Sequence, residues 1–127
     1  MPRAQELGIA ILRIVVGIVF LVHGAQKLFV IGVSPVAHMF GGIGIPLPQV
    51  SAIVVTLVEF AGGIALILGV VTRWAAVLLA IDMAVAVGKV HLHGGFFLPR
   101  GYEFALTLLA ACVALSLAGP GSPALKR

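Results

Sequence analysis

Charge is what this chain has least of. Its 127 residues include eight Lys or Arg and four Asp or Glu, 9% in all, whereas a soluble domain is about a quarter charged. So few charges cannot cover the surface of a folded chain of 13.1 kDa, and the sequence is far too apolar for disorder. A water-soluble globular protein is excluded. Cysteine is nearly absent as well. The single Cys112 rules out an internal disulfide and a dithiol mechanism carried by this chain alone. No C-x-x-C pair and no haem, flavin or iron–sulfur motif is present, so no redox cofactor is encoded by motif. Clustered basic residues are missing too. The net charge is +4 and the pI about 10.0, but the cations stand at positions 3, 13, 27, 73, 89, 100, 126 and 127. That scatter is the mark of membrane topology and not of a nucleic-acid surface.

Apolar residues fill the space that charge leaves: 61% of the chain is hydrophobic and its mean hydropathy is +1.24. About 20 apolar residues span a bilayer, so the chain predicts a single all-α domain over 1–127, an integral membrane four-helix bundle. The helices are expected at 7–29, 50–71, 74–90 and 102–118. Only Thr72 and Arg73 separate the second from the third, which makes them a tight antiparallel hairpin. Gly119, Pro120 and Gly121 stop the fourth. Glu6 and Arg13 interrupt the first apolar stretch and no small-residue cleavage site follows it, so that segment is expected to be retained. Arg3, Arg73, Lys126 and Arg127, with Arg13 nearest to them, outweigh Lys27, Lys89 and Arg100 across the two ends. The bias predicts both termini inside, in the cytoplasmic membrane. The connection over 30–49 is partly apolar, too much so for a free loop. Its stretch 36–40 is expected to form a short interfacial helix, with the whole connection lying on or dipping into the membrane.

Helical spacing sorts the polar residues onto stripes. Arg13, Gly17, Phe20, Gly24 and Lys27 share one face of the first helix. Thr56, Glu59, Gly63, Leu66, Val70 and Arg73 share one of the second, and Asp82, Ala86 and Lys89 one of the third. Charges mixed with small residues belong in the bundle interior. Glu59 lies roughly 14 Å into its helix and Asp82 roughly 12 Å into its own, both near the bilayer midplane. Arg13 is the cation at matching depth, so a cluster of Arg13 with Glu59 and Asp82 is expected. Lys27, Lys89, Glu103, His23, His91 and His93 form a second polar layer at the outer end.

Each cluster has two readings. The Arg13, Glu59 and Asp82 group is either helix-to-helix glue or a site in which one carboxyl keeps a proton and donates a hydrogen bond to a carbonyl such as a quinone oxygen. His23 and Lys27, one turn apart, are either interfacial snorkelling groups or a site for an anion or quinone headgroup. His91 and His93 point apart on a helix and make a poor metal pair. Cys112, among Ala and Leu, is expected to be a buried small apolar residue. Candidate ligand-binding residues are therefore Arg13, His23, Lys27, Glu59, Asp82, Lys89, His91 and Glu103, with no metal.

An ordered set of short motifs resembles one known family. Arg13-x3-Gly17 is followed by His23-Gly24-x2-Lys27-Leu28, Gly44-Ile-Pro-Leu-Pro48, Glu59-x2-Gly62-Gly63, Gly69-x2-Thr72-Arg73, Asp82-Met83, His91, and Gly101-Tyr-Glu103. Together they resemble the DoxX family of small four-helix membrane proteins over nearly the whole chain. The resemblance implies a place beside thiosulfate:quinone oxidoreductase membrane subunits and in membrane redox complexes with sulfur-handling or superoxide-removing proteins. It also implies that Glu59 and the His23-to-Lys27 stretch are signature positions. The chain carries neither an added soluble domain nor paired cysteines, which argues against thiosulfate oxidation on its own.

Three functions fit these observations. The first is a subunit of a membrane redox complex that binds quinone, or a similar hydrophobic small molecule, between its helices. The second is a non-enzymatic membrane protein that binds lipid or a partner protein. The third is a small carrier, which four short helices could form only as a homo-oligomer. Redox partner proteins would belong to the first, and nucleic acid to none of them.

Overall fold

The computed structural model describes residues 3–91, 94–97, 99 and 101–126. It is all-α over those residues, with five helices in place of the four expected. Helix α1 is Arg3–Ala25, α2 Val33–Gly42, α3 Pro48–Leu68, α4 Thr72–Val85 and α5 Glu103–Ala118. Both α1 and α4 continue into wider π-helical turns, Gln26–Ile31 and Ala86–His91. Counting those turns, α1, α3 and α4 are long and apolar enough to cross a membrane. Helix α5 is shorter, 16 residues or about 24 Å against a hydrocarbon core of about 30 Å.

Local signals account for the boundaries. Pro48 opens α3 at a position where a missing N–H costs nothing. Gly69, at φ 75°, closes it by returning its N–H to the Ala65 carbonyl, a left-handed cap that suits glycine. Residues 69–71 then turn the chain straight into α4, so α3 and α4 form the expected hairpin. The connection over 30–49 does contain a helix, but α2 covers Val33–Gly42 and is twice as long as the stretch anticipated. Its Val36, Ala37 and Phe40 are buried against Ala52 of α3.

Helices α1 and α3 approach most closely. A Cβ on Gly63 would come within 2.5 Å of the Leu21 N, and one on Gly24 within 2.5 Å of the Phe60 N. Only glycine permits backbones this near. Phe20, Leu66, Leu79, Met83, Cys112 and Leu115, from α1, α3, α4 and α5, belong to the main core. Cys112 is buried there, as expected. The apolar residues Ile11, Val15, Ile18 and Val22 run down the exposed face of α1, and Leu57, Ile64 and Leu68 down that of α3. Exposed aliphatic stripes around a core with buried charges are the pattern of a lipid-facing bundle.

The C-terminal segment folds back on the bundle. Ser122 N donates to the Glu6 carbonyl, Leu125 N to Leu68 and Lys126 N to Gly69. The start of α1 and the segment 122–126 therefore sit at the end of the bundle that holds the α3–α4 turn, called here the inner end. Of the basic residues used in the orientation argument, Arg100 and Arg127 lie outside the described residues.

Candidate functional site

The buried cations do not take the partners that depth alone suggests. Arg13, 1% exposed, donates from Nε to the Leu66 carbonyl at 2.7 Å and from a terminal nitrogen to the Pro120 carbonyl. It makes no ion pair with Glu59 or Asp82. Glu59 instead pairs with Lys27, Nζ to Oε1 at 2.5 Å, and the expected Arg13 cluster is corrected on this point. Side-chain direction explains the exchange. Helical side chains lean toward their own N-terminus, and α1 and α3 run in opposite directions. Arg13 thus leans to the inner end while Glu59 leans to the outer end, and they diverge. Lys27 leans inward from the outer end, and its four-carbon stem brings the ammonium to Glu59.

Arg13 is structural where it stands. The last carbonyls of a helix have no intrahelical donor and attract positive charge. Arg13 supplies both needs for α3 and ties Pro120 to the same point. Arg73, more exposed, does the same for α5 through the Leu117 carbonyl.

Asp82 on α4 completes a group of three with Lys27 and Glu59. It shares the cleft lining with both, and its Oδ2 is buried with no hydrogen-bond partner among the described residues. These three residues line a cleft of about 1250 Å³. Near the inner end α3 and α4 pack side by side, with Leu79 against the space where a Cβ of Gly62 would stand. Beyond Glu59 and Asp82 they part, and the cleft opens between them. Its walls are apolar: Val54 and Val58 from α3, Ile81 and Val85 from α4, Phe20 from α1 and Phe104 from α5. Met39 of α2 and Leu47 of the following turn form its outer rim.

Of the eight candidate residues, the cleft gathers His23, Lys27, Glu59, Asp82, Lys89 and His91. Arg13 and Glu103 do not line it. The outer polar layer is accordingly rearranged, because Lys27 reaches down to Glu59 and becomes part of the floor. Lys89 and His91 stand on the π-helical turn that ends α4, at the outer mouth. The His23 ring lies 6.3 Å from Phe104, and its Nδ1 is bound to the Val19 carbonyl. His93 lies outside the described residues. Among the described residues no three metal-ligating side chains converge. The apolar walls and the α2 rim escaped the sequence reading. Their one signal was the hydrophobicity of the 30–49 connection.

The family model for DoxX proteins matches residues 8–92. The chain belongs to the DoxX family. It is 34% identical over 119 residues to "Putative oxidoreductase CatD" of Bacillus subtilis, covering 94% of this chain and 84% of that protein. It is 28% identical to the inner membrane protein YphA of Escherichia coli, covering 98% and 91%. With the uncharacterized membrane protein Rv3486 of Mycobacterium tuberculosis it shares 34% identity, covering 91% and 77%. No solved structure matches the chain. The matched DoxX region contains every charged residue of the cleft and ends before Glu103 and Pro120. The protein is thus an integral membrane protein of the DoxX family, with lipid as its surroundings.

Proposed function

We propose that this DoxX chain is a membrane subunit of a redox complex and that its cleft binds a quinone-class carrier. The cleft itself carries this reading. It is large and apolar, opens between two lipid-facing helices, and ends near mid-membrane on Lys27, Glu59 and Asp82. Ligand sites combine apolar walls with a few placed polar groups, and an isoprenoid-tailed ring has that distribution of polarity. The tail would lie between Val54 and Val85 and the ring near Phe20, with ring oxygens at the polar floor. Electrons would come from or go to a partner protein, since the chain encodes no redox centre of its own. The name of the Bacillus relative supports the same class of activity. Both termini would face the cytoplasm, a reading supported by the basic excess at the inner end. Reporter fusions at the two ends should then both respond on that side.

The test is extraction. The full chain, purified in mild detergent and washed, should yield isoprenoid quinone at close to one per protein by mass spectrometry. Val54→Trp fills the cleft without touching a charge and should remove it. Quinone at the background of an unrelated, equally washed membrane protein would overturn the proposal.

A further inference from the structure

The two ends of the cleft are built unlike each other. Its floor at Asp82 stands about midway along α4, roughly 12 Å from His91 at the outer mouth and roughly 15 Å from Thr72 at the inner end. Outward of the floor the cleft is continuous: Val54 of α3 and Val85, Ala86 and Lys89 of α4 line it as far as His91. Inward it stops. None of its lining residues comes from 60–77 or 109–126. One turn below Asp82, Leu79 fills the space beside Gly62, and Leu66, Ala76, Leu79 and Leu115 are all buried there to 1% exposure or less. Helix α1 closes the remaining side, because Gly63 meets the Leu21 backbone with no room for a Cβ. Farther in, Arg13 is held by the Leu66 and Pro120 carbonyls, and Ala124 packs on Gly69 where the C-terminal segment bonds to the end of α3.

Proton-carrying groups follow the same division. Toward the outer end His23, Lys89 and His91 line the cleft. The His23 Nδ1 is bound to the Val19 carbonyl, which can only accept, so Nε2 is the exchangeable position of that ring. Between the floor and the inner surface, the titratable groups among the described residues are Cys112, buried in the main core, and Arg13, whose guanidinium keeps its proton. We infer that the polar floor meets water from the outer face alone, so that a ligand held there exchanges protons only on that side. The access belongs to the cleft and holds for any occupant. Joined to the quinone-class reading above, on which this step rests, it assigns the two protons of a quinone–quinol conversion to the outer face, while the two electrons pass to or from the partner protein.

A cysteine near the floor reads the access directly, because a thiol reacts as its thiolate and a thiolate needs water. Val58→Cys, next to Glu59, is placed in a Cys112→Ala chain, and Ile81→Cys repeats the measurement on the facing wall. Leu125→Cys marks the inner end, whichever side of the membrane that end takes. The probe is a sulfonated methanethiosulfonate, an anion that does not cross lipid, added to intact spheroplasts and to inverted membrane vesicles. The readout is the mass shift of the full chain after purification. Val58→Cys and Ile81→Cys should react at least about tenfold faster from the side opposite to Leu125→Cys, the advantage of a thiol in water over one shielded from it. Adding Val54→Trp, which fills the cleft, should slow them by a similar factor. Equal rates from the two sides, a faster reaction from the Leu125→Cys side, no reaction from either side, or no protection by Val54→Trp would overturn the inference. None of these outcomes bears on whether quinone copurifies, so the quinone-class reading stands or falls by extraction.

Discussion

The inner and outer halves of this bundle hold their cations in opposite ways. In the inner half the helices are regular, and Arg13 and Arg73 rest on terminal backbone carbonyls of α3 and α5. The C-terminal segment seals that end with three backbone hydrogen bonds. In the outer half α1 and α4 widen into π-helical turns, and the cation Lys27 rests on a carboxylate, with a second carboxyl group on the same cleft lining. Backbone carbonyls cannot titrate or leave, so an arginine satisfied by them is fixed and chemically silent. A Lys–Glu–Asp group on the wall of a cleft can exchange partners with a ligand. Segments of π-helix are rare and recur at functional sites, and here they carry Lys27, Lys89 and His91. The buried charge at the inner end serves folding, and the one at the outer end is free to serve binding.

The contrast can be broken most severely at the α1–α3 crossing. Gly63→Val places side-chain atoms against the Leu21 backbone and should cost roughly 3 kcal/mol, read as lost folded yield and early thermal unfolding. A variant of native stability would show that the crossing is not as close as described. Next comes Arg13→Leu, which leaves the Leu66 and Pro120 carbonyls without their donor. It should cost about 2 kcal/mol of stability, while the folded fraction keeps its full ligand content by mass spectrometry. Loss of ligand in well-folded Arg13→Leu would erase the division between the halves.

Glu59→Gln should behave in the reverse sense. The amide still accepts a hydrogen bond from Lys27, so stability should change by about 1 kcal/mol or less, and retained quinone should fall several-fold. If this variant folds normally and keeps its ligand in full, the Lys27, Glu59 and Asp82 group is helix glue. The smallest effect belongs to Arg73→Leu. Its bond to Leu117 is solvent-exposed, and the change should stay within about 0.5 kcal/mol in a denaturation curve.

Much of the architecture was legible before any coordinates. An apolar content of 61% with 9% charge leaves lipid as the solvent, and in lipid a helical chain satisfies its own backbone. The 3.6-residue period assigned Arg13, Glu59, Gly63 and Phe20 to interior faces, and all four are buried, whereas Arg73 and Lys89, placed on the same stripes near helix ends, are exposed. Pro48 has a conformational reason to stand at the start of α3, whereas Gly69 ends that helix before the expected boundary at 71. These are local properties, and the order of residues along the chain is enough to specify them.

Pairing is a different kind of property. Depth along an axis placed Arg13 level with Glu59, yet antiparallel helices tilt those two side chains apart and bring Lys27 and Glu59 together. One of the two partners of Arg13 lies 107 residues away at Pro120, in a segment with no periodic signal that reaches α1 only because the bundle has closed. The cleft exists because α3 and α4 are joined at one end and diverge at the other, with α2 laid along its rim. No residue encodes that void. It is a difference between packed surfaces, and it arises only when all five helices have taken their places.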